Sequence, residues 1–290
     1  MGAVKGGEAL GNPDRLVARY GGVPVIYVES DEDHYVFGEC WFKDRLSRVE
    51  FQPAASQCGF AGCSAVIQAV GDERAAGNPA WGIVDRDVVM SLNLWHLVHE
   101  TDDTRYEQAK PFGAEVKVLR LWEMESYLAD ARALEQCRSE LSRQSPRPVA
   151  AVDEELLNHC QALVPHAAMN AACHEIRVGG LPDGMTDRFP SRAAVERNIE
   201  TTILPTKPEQ VATMYRKHLP LVDAFDLVGA TPKDRVSRLL RRVAGKAVLK
   251  RFSASHHINV DLKGLLANRI KEQNRVPDEI TRFVEEIASV

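Results

Sequence analysis

Residues 80–89, AWGIVDRDVV, hold an uncharged apolar run, Trp81 to Val84, that stops abruptly at Asp85, Arg86 and Asp87. Such a run predicts a strand buried on both faces, as in a parallel sheet. Side chains in extended chain alternate faces, so this reading puts Asp85 and Asp87 on one side and Arg86 on the other. Ligands of open α/β sheets bind outside the carboxyl ends of the strands, which is where this pair stands. Two adjacent carboxylates repel unless one is protonated or a cation lies between them, and a hard, oxygen-seeking ion such as Mg²⁺ meets that need. The bland alternative is an Asp pair that caps the next helix or makes a turn.

Working outward, a second strand-like run, VPVIYV at residues 23–28, ends at Glu29 as the first ends at Asp85. Between them the pattern predicts a helix from about Asp31 to Leu46, a short strand from Val49 to Pro53 and a helix near Ser64 to Val70. The acidic Asp31, Glu32 and Asp33 suit that first helix's opening turn. Alternating strands and helices are the signature of a parallel sheet with helices on its faces. A short helix at Trp95 to Glu100 and a polar loop over Asp102 to Phe112 come next. EVKVLRLW, Glu115 to Trp122, alternates as a fourth strand and runs into Glu123 and Glu125.

From Tyr127 helical periodicity takes over. Helices are predicted from Glu125 to Arg143, Asp153 to His174 with Pro165 kinking or splitting it, Ser191 to Glu200, Glu209 to Leu227, Lys233 to Ala244, Asp261 to Gln273 and Pro277 to Ile287. A short helix over Pro13 to Tyr20 and a mobile loop over Val178 to Pro190 complete the expectation. The fold class is therefore α/β, a parallel sheet flanked by helices with a mainly α-helical second part. The expected divisions are an N-terminal segment at 1–21, a catalytic domain at 22–130 and a helical domain at 131–290.

The 290 residues are 44% hydrophobic and 27% charged, ordinary for a globular chain that can bury a core. No apolar stretch suits a membrane span, the first residues lack a signal peptide's apolar centre, and a cytoplasmic location without membrane attachment is expected. The cysteines form no C-x-x-C pair and read as reduced thiols; a zinc site at Cys58 and Cys63 finds no matching partner pair. There is no P-loop, no G-x-G-x-x-G after a strand and no G-x-S-x-G elbow, so ATP hydrolysis, dinucleotide binding and serine-hydrolase chemistry have no motif here.

A Glu after the first strand, Glu29 in VIYVES, with Asp-x-Asp after the third, Asp85 and Asp87 in IVDRD, resembles the TOPRIM fold of topoisomerases, primases and OLD-type nucleases. The run Glu123-Met-Glu125-Ser-Tyr-Leu is similar to the Glu-x-Glu-Asn-Tyr-Leu segment of a TOPRIM-like family encoded beside ABC-type ATPases, including the TOPRIM effector subunit of the PARIS anti-phage system. The resemblance covers about residues 22–130, with looser similarity around Gly245 and Lys246. Two positions depart from it: Ser30 stands where many TOPRIM proteins have Gly, and Ser126 replaces Asn. The resemblance implies Mg²⁺- or Mn²⁺-assisted phosphodiester cleavage, with Asp85 and Asp87 holding metal, Glu29 completing the shell or acting as general acid/base, and Glu125 as a further ligand or support. It also implies a toxic effector in anti-phage defence, restrained by an ABC-type ATPase partner and able to dimerise on release. Glu123 reads equally well as a solvated partner for Arg120.

A nuclease must hold a polyanion. Arg235, Arg238, Arg241, Arg242, Lys246, Lys250 and Arg251 occupy a stretch without acids, and Arg235, Arg238 and Arg242 follow helical spacing. They are the candidate phosphate contacts for RNA, transfer RNA included, or DNA, against the alternative of a solvated amphipathic face. Two rival functions use the same residues: a non-catalytic interaction subunit of the ATPase complex, and a phosphohydrolase acting on small nucleotides. The basic stripe is the feature that favours a polymer.

Overall fold

The computed structural model describes residues 22–59, 61–181 and 189–290. The expected helix at 13–20 and most of the expected loop at 178–190 lie outside those residues. The sequence divides into two compact units: unit 1 comprises Met1–Ile83, Phe112–Lys117 and Asp278–Val290, and unit 2 comprises Val84–Pro111 and Val118–Pro277.

A four-stranded, all-parallel sheet is built from β1 (Val25–Val28), β2 (Glu50–Pro53), β3 (Ala80–Val84) and β4 (Val116–Val118), in the order β2-β1-β3-β4. Val25 pairs with Glu50 on one side and with Ala80 on the other, so β1 is central. This is the expected mixed α/β class. In unit 1, Ile26, Val28, Phe51 and Ile83 are buried with Phe37 and Trp41, and Phe37 and Phe42 both stack on Phe51. Helix α1 (Cys63–Ala75) packs close over β3: a Cβ added at Gly82 would stand 2.6 Å from Val66 Cγ1. Ser30, the departure from the family pattern, caps the short helix Asp31–His34 by accepting from the Asp33 amide at 3.1 Å.

Extended chain does not continue through Asp85, Arg86 and Asp87. Arg86 is αR, with φ −65° and ψ −24°, and helix α2 (Asp87–Ser91) starts at once. Strand alternation therefore does not set the direction of the two aspartates. Arg86 points inward and is fully buried, its guanidinium donating to the carbonyls of Arg120, Leu97 and Glu100 over the Tyr106 ring.

Three expectations between Asp102 and Arg143 also change for identifiable reasons. The segment read as a polar loop contains helix α3 (Asp103–Ala109), capped by Asp102 and anchored by its one buried side chain, Tyr106. The fourth strand is only three residues long, because the Arg120 and Leu121 amides turn to the Tyr127 hydroxyl, each at 3.0 Å. The expected helix from 125 is two, α4 (Met124–Leu128) and α5 (Ala131–Ser142), with Asp130 capping the second. Tyr127→Phe should cost about 1–2 kcal/mol by stranding both amides, read as a lowered urea midpoint with unchanged slope.

Unit 2 is organised on α6 (Val149–Glu175), 27 residues that run through Pro165 without splitting. Pro165 is itself buried, and neighbouring helices hold α6 along its length, including α7 (Glu209–Asp223), α8 (Pro232–Leu239) and α9 (Gly245–Ser255). Helix α9 has no counterpart in the sequence expectation. Further helices include Arg192–Asn198 and α10 (Lys263–Glu272) and, in unit 1, α11 (Asp278–Ala288). No helix among the described residues is long and apolar enough to cross a membrane.

Candidate active site

Glu29 belongs to unit 1. It follows β1 directly, its carbonyl accepts from the Gly62 amide at 3.3 Å, and a Cβ at Gly62 would lie 3.9 Å from Glu29 Oε2. Its carboxylate thus stands near the amino end of α1, where a helix dipole favours negative charge. Gly62 has φ +93°, a conformation L side chains rarely adopt.

The other acids belong to unit 2, and the start of α4 gathers them. Asp85 Oδ1 accepts from the Met124 amide at 3.0 Å, so this aspartate caps a helix distant in sequence. Glu123 reaches the amino end of α9, where its Oε1 accepts from the Lys246 amide. It does not meet Arg120, which pairs with Asp103. Glu125 is only 6% exposed and lies 3.0 Å from Lys263 Nζ and 3.5 Å from Lys246 Nζ. Asp87, in the first turn of α2, opens to solvent, yet the protein around it desolvates its carboxyl enough to raise the pKa.

Glu123 carries the strongest perturbation of this group. Burial, followed by the charges of Glu125 and Asp87, raises its pKa to about 7, against the lowering effect of the Lys246 amide and ammonium. A carboxyl half-ionised at neutral pH is suited to proton transfer, since general acid–base catalysis works best near the operating pH. The donors here are all carboxylate oxygens, the type a hard divalent cation takes, and the mutual repulsion on Glu123 is what such a cation would relieve. Among the described residues, no group of three or more His, Cys, Asp and Glu side chains is gathered as a metal cage.

The basic stripe does not form one exposed face. Helix α8 ends at Leu239, so Arg241 and Arg242 lie on the turn beyond it and helical spacing no longer applies. Arg235 is paired with Asp226 at 2.7 Å, and Arg241 is buried against Asp103 and the Thr101 carbonyl. Arg238 reaches the same carbonyl at 3.4 Å, and Arg251 is buried on the carbonyls of Phe189 and Pro190. Arg242 is buried over the Trp122 ring. Lys246 and Lys250 remain exposed.

Sequence reasoning ranked Glu123 below Asp85 and Asp87 and did not single out Lys263. It also passed over His166, Asn170 and His174, which line a cavity of about 340 Å³ together with Asp87, Trp122 and Arg242. The signal was present as a four-residue spacing on a predicted helix. Comparison with protein-family models, with curated proteins and with solved structures finds no match for the chain.

Proposed function

We propose that this chain is a divalent-metal-dependent nuclease, a hydrolase of phosphodiester bonds in RNA or DNA. The observation that carries the reading is the burial of Glu123 beside the charges of Glu125 and Asp87, which raises its pKa to about 7. That Glu29 directly follows β1 and Asp85 directly follows β3, both parallel strands, supports it. A bound Mg²⁺ or Mn²⁺ would polarise the phosphate and acidify a water.

Asp85 and Asp87 would hold that ion, and Glu123 would take the proton from the attacking water. Glu125, paired with Lys246 and Lys263, is the neighbouring acid that raises the Glu123 pKa. Glu29 enters through the resemblance, as ligand or acid/base. A role as a toxic anti-phage effector, restrained by an ABC-type ATPase, belongs to the same proposal and rests on the resemblance alone. A second reading, hydrolysis of small nucleotides, is favoured by the cavity that Asp87 lines and by the inward turn of the arginines.

The test is cleavage of transfer RNA, single-stranded RNA, linear and supercoiled DNA and mononucleotides with Mg²⁺ or Mn²⁺, comparing wild type with Glu29→Ala and Asp87→Ala. Expression toxicity of the same variants is scored alongside. Metal-dependent cutting or toxicity that both substitutions abolish is expected. Wild-type cutting or toxicity unchanged in both variants would remove these acids from the mechanism.

A further inference from the structure

His166, Asn170 and His174 stand one helical turn apart on α6 and line the same cavity as Arg242 and Trp122. Arg242 is 1% exposed, and its Nε and Nη1 find no hydrogen-bond partner among the described residues. Its neighbours contrast with it: Arg86, Arg235, Arg241 and Arg251 each donate to carbonyls or carboxylates. Arg242 instead lies over the Trp122 indole, 4.5 Å from the ring centroid. Burial and the nearby charge of Arg86 push its pKa down to about 9, and no acid offsets them. A buried cation with unused donors is costly to a fold unless a ligand answers it.

We propose that this cavity binds the phosphate group of a nucleotide, with Arg242 as its principal donor. A guanidinium offers a planar fork matched to phosphate oxygens, and such charge-assisted bonds are strong away from water. His166 and His174 add imidazole rings to the lining. Asn170 is fixed between them, its Oδ1 accepting from the Leu181 amide at 3.2 Å and its Nδ2 lying 3.3 Å from His166 Nδ1. A volume of about 340 Å³ suits a single nucleotide and excludes a duplex. The phosphate can come from a free mononucleotide or from the end of a strand. Because Asp87 lines the same space, the assignment deepens the hydrolase reading and rests on it for the fate of the phosphate, while binding itself does not depend on it.

The test is calorimetric titration in EDTA with inorganic phosphate, AMP, adenosine, and a trinucleotide with or without a 5′-phosphate. Phosphate and AMP should bind wild type and adenosine should not. Arg242→Gln should weaken AMP binding by about ten- to a hundredfold. Asn170→Asp keeps the acceptor for Leu181, adds a repelling charge and should weaken it comparably; it decides the matter if Arg242→Gln fails to fold. Binding of AMP but not the phosphorylated trinucleotide identifies the free mononucleotide as the source, and the reverse identifies a strand end. Failure of both phosphate and AMP to bind wild type, or wild-type affinity in the folded variants, would overturn the assignment. Binding in EDTA without cleavage in Mg²⁺ sinks only the hydrolase reading, and cleavage without binding sinks only this cavity.

Discussion

Glu123→Gln should make the protein more stable above neutral pH while removing most of the cleavage activity proposed for it. Burial and the charges of Glu125 and Asp87 hold the Glu123 pKa near 7, against an ordinary 4.5. The raised value means that the folded state penalises the ionised form. Glu123's favourable contribution is therefore complete below about pH 4.5 and is lost as pH rises through 7. The gap corresponds to about 3 kcal/mol once the group is fully ionised in both states. Glutamine has no charge to desolvate and can still accept from the Lys246 amide. The variant should match wild type near pH 4 and exceed it by up to about 3 kcal/mol near pH 8, read from urea melts at both values.

Activity should move the other way. If Glu123 is the base, wild-type rate falls on the acid side as the carboxylate is protonated, at a pH below its metal-free value because the bound cation relieves the repulsion, and Glu123→Gln loses about two to four orders of magnitude together with that acid limb. A variant that keeps the limb would show the base to be elsewhere. A variant whose stability tracks wild type across the whole pH range would show that Glu123 is not strained by its neighbours. The two readouts are independent, since one needs substrate and metal and the other needs neither.

The strands were the most legible part of the fold because burial on both faces leaves an unbroken apolar run, as at Val25–Val28 and Ala80–Val84. Helix α3 left no such trace, since Tyr106 is its one buried side chain and a single anchor makes no period. Pro165 carried a true local signal, a missing amide, that the packing of α6 overrides. The acids after β1 and β3 could be read because strand ends are visible in sequence. The raised pKa of Glu123 could not, because its main cause is burial, which tertiary packing sets, with the charge of Glu125 second. The arginines show the same limit: their spacing suggests a face, but whether that face is solvated is set by Asp103 and Asp226, partners that no local pattern specifies.

Gly245→Ala should be the most damaging single-atom change outside the carboxylates. Helix α9 begins at Gly245, and a Cβ there would lie 2.3 Å from the Ser126 amide nitrogen and 2.4 Å from its Cα. Those are backbone atoms of α4, so no side chain can swing aside and the two helices must separate. Separation would also pull the Lys246 amide from Glu123 and its ammonium from Glu125, loosening the contacts that hold the acids in place. Overpacking of this kind costs about 3 kcal/mol or more, a fall in melting temperature of roughly 6–12 °C for a chain of this size. Gly71→Ala is the matched control: it sits on the exposed face of α1 with nothing within 4 Å of its added Cβ, and alanine there should stabilise by up to about 1 kcal/mol. Equal melting temperatures for Gly245→Ala and wild type would mean that α9 does not seat directly on α4. A large fall would tie the geometry of Glu123 and Glu125 to one missing methyl group, and would explain why a helix that places charged groups at the site opens with glycine, a poor helix former.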